Sequence, residues 1–145
     1  MIHFQLVTLK GVKYEGDVYE VILPTLDGQI GVLTDHMPLI SAATAGIISV
    51  RRNPRDPDFA MDHFATFGGV IEVANNKLKV LVDEADRGDD ISESEAQKAL
   101  ELAKKMKSEA KDQRSLEEAE ALIDRSAVRL QVSQLRRRSS KSNRN

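Results

Sequence analysis

Apolar residues change their spacing once along this chain, near residue 90. Before it, Val- and Ile-rich runs of four to six residues recur about every ten residues, at 4–9, 18–23, 30–33, 39–42, 46–51, 62–66, 69–73 and 77–82. Short β-branched runs at that interval, separated by Gly, Pro, Asn and Asp, predict an antiparallel sandwich or flattened barrel. Within it, Asp27 and Gly28 lie between two apolar runs, the pattern of a tight hairpin turn. Pro24 should stop the second run, because proline removes a ladder donor. Gly31 inside the following run suggests a bulge or a close backbone approach. Pro38 makes residues 35–38 a corner between strands, with His36 on top of it.

From Ile91 onward the period is helical. Ser92 and Glu95 form a capping box, as do Ser115 and Glu118, and each marks a helix start. Residues 111–114 suffice only for a tight connection, so the two helices should form an antiparallel hairpin. Their apolar stripes are Ala96, Ala99, Ala103, Met106 and Ala110 on the first, and Leu116, Ala119, Ile123, Ala127 and Leu130 on the second. Alanine buries little area, so this seam is weak and easily parted. The expected class is therefore α+β: an N-terminal antiparallel β-sandwich over residues 1–86, then a C-terminal antiparallel two-helix hairpin over 87–138. A disordered basic tail is expected over 139–145.

Charge reinforces the division. The overall charge of −2 conceals a net of −6 over residues 1–90 and +4 over residues 91–145. An acidic body with a basic tail suggests two partners or two tasks. The absence of cysteine excludes disulfides and thiolate chemistry, and 4% aromatic residues leave few stacking surfaces. The start of the chain has no basic segment followed by an apolar core, and no apolar run approaches the roughly 20 residues that span a bilayer. A soluble intracellular protein without direct membrane insertion is expected.

Candidate chemistry is sparse. His3, His36 and His63 have no second ligand at helical spacing, so no metal site is expected. The acidic run Asp83, Glu84, Asp86, Asp89 and Asp90 lacks the spacing of a calcium loop and reads as a solvated linker before a helix N-terminus. Gly68 and Gly69 lie between strands, where no helix dipole would complete a phosphate cradle. No catalytic constellation or cofactor motif appears, and the chain is expected not to be an enzyme. Arg136, Arg137 and Arg138, with Lys141 and Arg144, form a basic helix end.

Four stretches share one resemblance. The pattern of Gly28, Gly31-Val32-Leu33, His36 and Pro38-Leu39 resembles the G-x-x-G-V-L-x-x-H-x-P-L of the epsilon subunits of bacterial F-type ATP synthases. Gly68-Gly69-Val70-Ile71-Glu72-Val73 and Ala85-Asp86-Arg87 are similar to that family's later strands. Residues 121–130, with Arg125 and Arg129, are similar to its second helix. The resemblance implies a non-catalytic rotor subunit of the central stalk, coupling c-ring rotation to ATP synthesis. It implies contact with the c-ring through Asp27, Gly28, Gln29 and Ile30, and with the gamma subunit through His36, Met37 and Leu39. It implies a location on the cytoplasmic face of the bacterial membrane. It further implies a regulatory hairpin, carrying Arg125, Arg129, Arg136, Arg137 and Arg138, that extends into the alpha/beta catalytic head and inhibits ATP hydrolysis.

Some relatives bind ATP in the folded hairpin, and Arg125 and Arg129 match their arginines. Here, however, Ser92 and Glu95 stand where those relatives carry Asp and Arg. A carboxylate in place of a guanidinium repels phosphate, so weak or no ATP binding is expected, with Glu95 as an internal partner for one arginine. Two other readings remain open at this point: a free nucleotide-sensing module, and a nucleic-acid adaptor acting through the basic tail.

Overall fold

A computed structural model of the chain describes the backbone of residues 1–142 and the side chains of residues 1–135. Its strands are β1 (Ile2–Thr8), β2 (Gly11–Val18), β3 (Glu20–Thr25), β4 (Gly28–Val32), β5 (Leu39–Arg51), β6 (Asp62–Ala74), β7 (Lys77–Val82) and β8 (Ala85–Arg87), followed by α1 (Glu93–Glu109) and α2 (Gln113–Ser142). The strands form one open, sandwich-like sheet in the order β2-β1-β7-β6-β5-β3-β4, with β8 on the first half of β6. Pairings are antiparallel except between β1 and β7, which run parallel.

Alternation explains how one sheet encloses one core. Ile2, Phe4 and Leu6 of β1, Val21 and Leu23 of β3, and Leu78 and Val80 of β7 project inward and are buried, together with Ile48, Val50, Phe64, Ile71 and Val73 of the long strands. Tyr14 closes one end with an edge contact to the Phe64 ring at 5.9 Å. At about 25 cal/mol per Å² of apolar surface removed from water, this cluster is the main source of stability.

Several expectations need correction. β2 was not foreseen, because GVKYEGDV is mostly exposed and its alternation is weakened by Gly16 and by a register shift that puts Val12 and Tyr14 on opposite faces. The run expected at 18–23 is split at Tyr19, whose amide donates instead to the carbonyls of Arg51 and Arg52. Pro24 does not end β3. It sits opposite Gln29, where the pairing of β3 with β5 is interrupted, so its missing N–H breaks no ladder there. The runs at 39–42 and 46–51 belong to one strand, as do those at 62–66 and 69–73. Gly68, at φ +98°, permits β6 to bend without ending, so its first half pairs β8 and its second half β7. Gly69 packs so closely on the Leu81 carbonyl that no side chain fits there.

The hairpin follows the 3-10 turn Gly88–Asp90. Ser92 caps α1, its hydroxyl accepting from the Glu95 amide at 3.3 Å. The cap of α2 is Asp112, which accepts from the Ser115 amide at 2.7 Å, and not Ser115 itself. Leu100 is buried in α1 while Ala99 is exposed, and Ser126 is buried in α2 while Ala127 is exposed. A true helical pitch from Ala96 through Leu100 to Ala103 places them so. α1 packs on α2, and α2 packs on β5, β6 and the 3-10 turns, so the hairpin meets the sandwich through its second helix. α2 continues past residue 138 as far as Ser142. Residues 143–145, part of the expected disordered tail, lie outside the described residues.

Candidate functional site

Three surfaces stand out, and the first is the tip of the β3–β4 hairpin. Thr25 pairs with Gly28, leaving Leu26 and Asp27 as the two tip residues. The turn is therefore one residue earlier than the Asp27-Gly28 reading, and Gly28 opens β4 at φ +110°. The Thr25 hydroxyl donates to the Gly28 carbonyl at 2.6 Å and fixes the tip. Asp27, Gly28 and Gln29 are exposed, whereas Ile30 leans onto the core. Leu26, which the sequence reading passed over, is 80% exposed.

The second surface begins at the corner after β4. Asp35 takes φ 65°, and its amide donates to the Asn76 side-chain oxygen at 2.6 Å, while the Asn76 amide group donates back to the Asp35 carboxylate at 3.1 Å. The corner is thereby clamped to the two-residue Asn75-Asn76 turn between β6 and β7. His36 lies half-buried with Nδ1 2.7 Å from the Met37 carbonyl. Met37 is exposed. Leu39, expected to face outward, instead packs on the core, and Ile40 presents the apolar surface.

Beside Ile40 an apolar band crosses the outer face of the sheet. The register sets Ala42 beside Val70, Val70 beside Leu81, Leu81 beside Val7, and Val7 beside Val12. Val12, Val70 and Leu81 are each about half exposed. The neighbouring row is Ile40, Glu72, Lys79, Gln5 and Glu15, so charged groups border the band. A contiguous apolar strip with a polar rim is the form of a protein-binding surface. Alternation in β6 and β7 carried this signal, but only the register shows that the positions join.

The third surface is where the hairpin meets the sandwich. Arg129 donates from Nε to Asp86 and from a terminal nitrogen to Glu84, each at 2.8 Å, and Arg125 donates to Glu84 at 3.1 Å. Both guanidinium groups lie about 5 Å from the Phe67 ring centre, at 5.1 and 5.0 Å. The structure thus brings the two arginines together, but their partners are Glu84 and Asp86, not Glu95. A cleft of about 300 Å³ beside them is lined by Asp86, Asp90, Glu95, Ser92, Ser126 and Arg129. Its acidic groups outnumber its one guanidinium, an unfavourable lining for a phosphate. The side chains of Arg136, Arg137 and Arg138 lie outside the described residues.

His3 and His63 have different surroundings. Asp17 and Glu15 accept from or face the His3 ring and raise its pKa. His63 is held 2.8 Å from the Ser49 hydroxyl, and burial lowers its pKa. Among the described residues no group of His and carboxylates converges as a metal site, and no helix is long and apolar enough to cross a membrane.

Comparison with known proteins gives consistent results. The family model described as ATP synthase, Delta/Epsilon chain, beta-sandwich domain matches residues 1–88. The chloroplastic ATP synthase epsilon chain of Cucumis sativus is 34% identical over 131 residues, 90% of this chain and 94% of its own length. That of Lotus japonicus is 36% identical over 126 residues, 87% of this chain and 91% of its own. A chain in the cryo-EM structure of the Euglena gracilis mitochondrial ATP synthase superposes with a TM-score of 0.73 at 22% identity, covering 85% of this chain and 75% of its own. One in the central stalk and c-ring structure from Tetrahymena thermophila gives 0.56 at 12% identity, covering 92% and 95%. At those identities the structures show a shared fold.

Proposed function

The chain belongs to the ATP synthase epsilon-chain family, and on that premise we propose that it is a non-catalytic rotor subunit of an F-type ATP synthase. In this reading the body, residues 1–86, rides on the central stalk, and the hairpin, residues 87–138, regulates ATP hydrolysis by leaving the body and extending toward the alpha/beta head. Within such an assembly the chain sits peripherally at a membrane, on the cytoplasmic side in a bacterial cell.

The observation that carries the reading is the apolar band from Val12 to Ala42. An otherwise acidic, charged body has no use for exposed Val70, Leu81 and Ile40 unless a partner covers them. The gamma subunit is the occupant this reading assigns, meeting the band together with Met37 and His36. The c-ring then meets the tip at Asp27, Gly28, Gln29 and Ile30, with the exposed Leu26 beside them.

Two variants of the assembled complex test this. A cysteine at Gln29 should cross-link to the c-ring, and Val70→Asp with Leu81→Asp should abolish co-purification of gamma. Cross-linking confined to the catalytic head, or full gamma binding by the double variant, would overturn the assignment.

A further inference from the structure

Glu84, Asp86, Arg125, Arg129 and Phe67 form a cluster that none of the assigned contacts uses. Glu84 takes a donor from each arginine, Asp86 takes a second from Arg129, and the Phe67 ring faces both guanidinium planes. The carboxylates lie at the end of the sandwich, on and just before β8, and the arginines lie one turn apart on α2. The cluster therefore spans the two parts of the chain. A few residues further along α2, Val132 is fully buried, with its Cγ1 only 3.0 Å from where a side chain on Gly88 would begin. Ser133 beside it is buried too.

We propose that Glu84 and Asp86 are a built-in counter-anion that latches the hairpin to the sandwich, occupying Arg125 and Arg129 in place of any nucleotide. The two arginines hold five-donor forks suited to carboxylate or phosphate alike. Here the sequence supplies the carboxylates itself, and their connection to β8 keeps them at the site at high effective concentration. An incoming phosphate has to displace two placed carboxylates while facing Asp90 and Glu95 across the cleft. Docking of this hairpin therefore responds to ionic strength and not to ATP. The pairs are one-third to one-half exposed, with side-chain exposures of 31% for Arg129 and 44% for Arg125, so added salt reaches and screens them. A latch of this kind is weak enough to open and specific enough to close in one register.

The proposal concerns the full chain by itself and stands or falls apart from the place of the chain in any assembly. The native sequence has no cysteine, so a single introduced thiol is an unambiguous reporter. Val132→Cys is buried where α2 meets Gly88 and His63, and its rate of modification by a thiol reagent follows the undocked population. Ala119→Cys lies on α2 where the two helices meet, and reports opening of the hairpin itself. In the Val132→Cys background, Glu84→Gln with Asp86→Asn should speed labelling about three- to hundredfold, the scale of three exposed ion pairs. Raising KCl from about 0.05 M to about 1 M should act in the same direction. The Ala119→Cys rate should change under neither condition, and about 1 mM ATP should leave both rates unchanged. Asp86→Lys combined with Arg129→Glu should label more slowly than either single change. This exchange keeps the test decisive if the neutral double variant folds poorly. Unchanged labelling of Val132→Cys after loss of both carboxylates, or slowing by ATP in the Val132→Cys chain that keeps both carboxylates, would overturn the proposal.

Discussion

The sandwich and the hairpin are held by different means, although one chain makes both. The sandwich surrounds Phe4, Leu6, Leu23, Ile48, Phe64 and Ile71, all completely buried. The hairpin seam buries Ala96, Leu100, Ala103 and Ala119, and its docking adds Val132 and an exposed set of ion pairs. Large side chains from β1 to β7 make the first body a single cooperative unit. Small side chains and solvent-screened charges make the second a body that can separate without disturbing the first. A single chain thus builds a fixed mount and a detachable arm.

Breaking the mount should have the largest effect. Phe64→Ala removes a fully buried ring that Tyr14 meets edge-on and should cost about 3–5 kcal/mol. Thermal unfolding followed by circular dichroism should show the midpoint falling by more than about 10 °C. A shift no larger than that of a seam variant would erase the distinction between the two bodies.

Sequence reading reached the mount more fully than the arm. Period-2 alternation in β1 and β7 and the Asn75-Asn76 turn act over neighbouring residues, so they show in the sequence. β2 was hidden because its inward positions are only Tyr14, Gly16 and Val18, set between charged residues. The continuity of β5 and β6 was hidden because Gly68 looks like a break in sequence but serves as a bend in the sheet. The apolar stripes of the helices were found, but their phase slipped by one position at Leu100 and at Ser126, since alanine is compatible with either side of a helix. The arginines at 125 and 129 stood out by their family pattern. Their partners did not, because Glu84 and Asp86 lie 41 or more positions from the arginines they pair with and read as solvated linker. The apolar band escaped for the same reason: only strand register brings Val12, Leu81 and Val70 into line.

Weakening the arm should leave the mount intact. Leu100→Ala removes the largest buried side chain of α1 and should cost about 2 kcal/mol, the low end for such a change because its surroundings are small. Amide hydrogen exchange should quicken across α1 and α2 while β1, β6 and β7 keep their protection. A chain ended after Asp90 sharpens the comparison further. It retains β8 and the Gly88–Asp90 turn, which a cut at residue 86 would damage, and should unfold within about 5 °C of the full chain while binding gamma as well. Loss of folding in that shortened chain would make the hairpin part of the mount.

The smallest expected effect is a pH dependence at the border of the two bodies. His63 lies on β6 near Val132 of α2, with Asp62, Arg87 and Asp89 around it and Ser49 at its Nδ1. Burial lowers its pKa below the ordinary 6.5, and Asp62 opposes this in part. The unfolded chain therefore takes up a proton at this position at higher pH than the folded chain. Its contribution to stability is complete above pH 6.5 and is lost as pH falls through that value toward the lower folded one. His3 has the opposite sign: the hydrogen bonds with Asp17 and Glu15 raise its pKa, so its contribution is present at low pH and is lost as pH rises through the raised value. Comparing His63→Gln with His3→Gln separates them. Between pH 7.5 and 5.5, about one unit either side of the ordinary histidine value, the native midpoint should fall more than that of His63→Gln and less than that of His3→Gln. If the His63 variant tracks the native chain across that range, the border does not sense protons through His63.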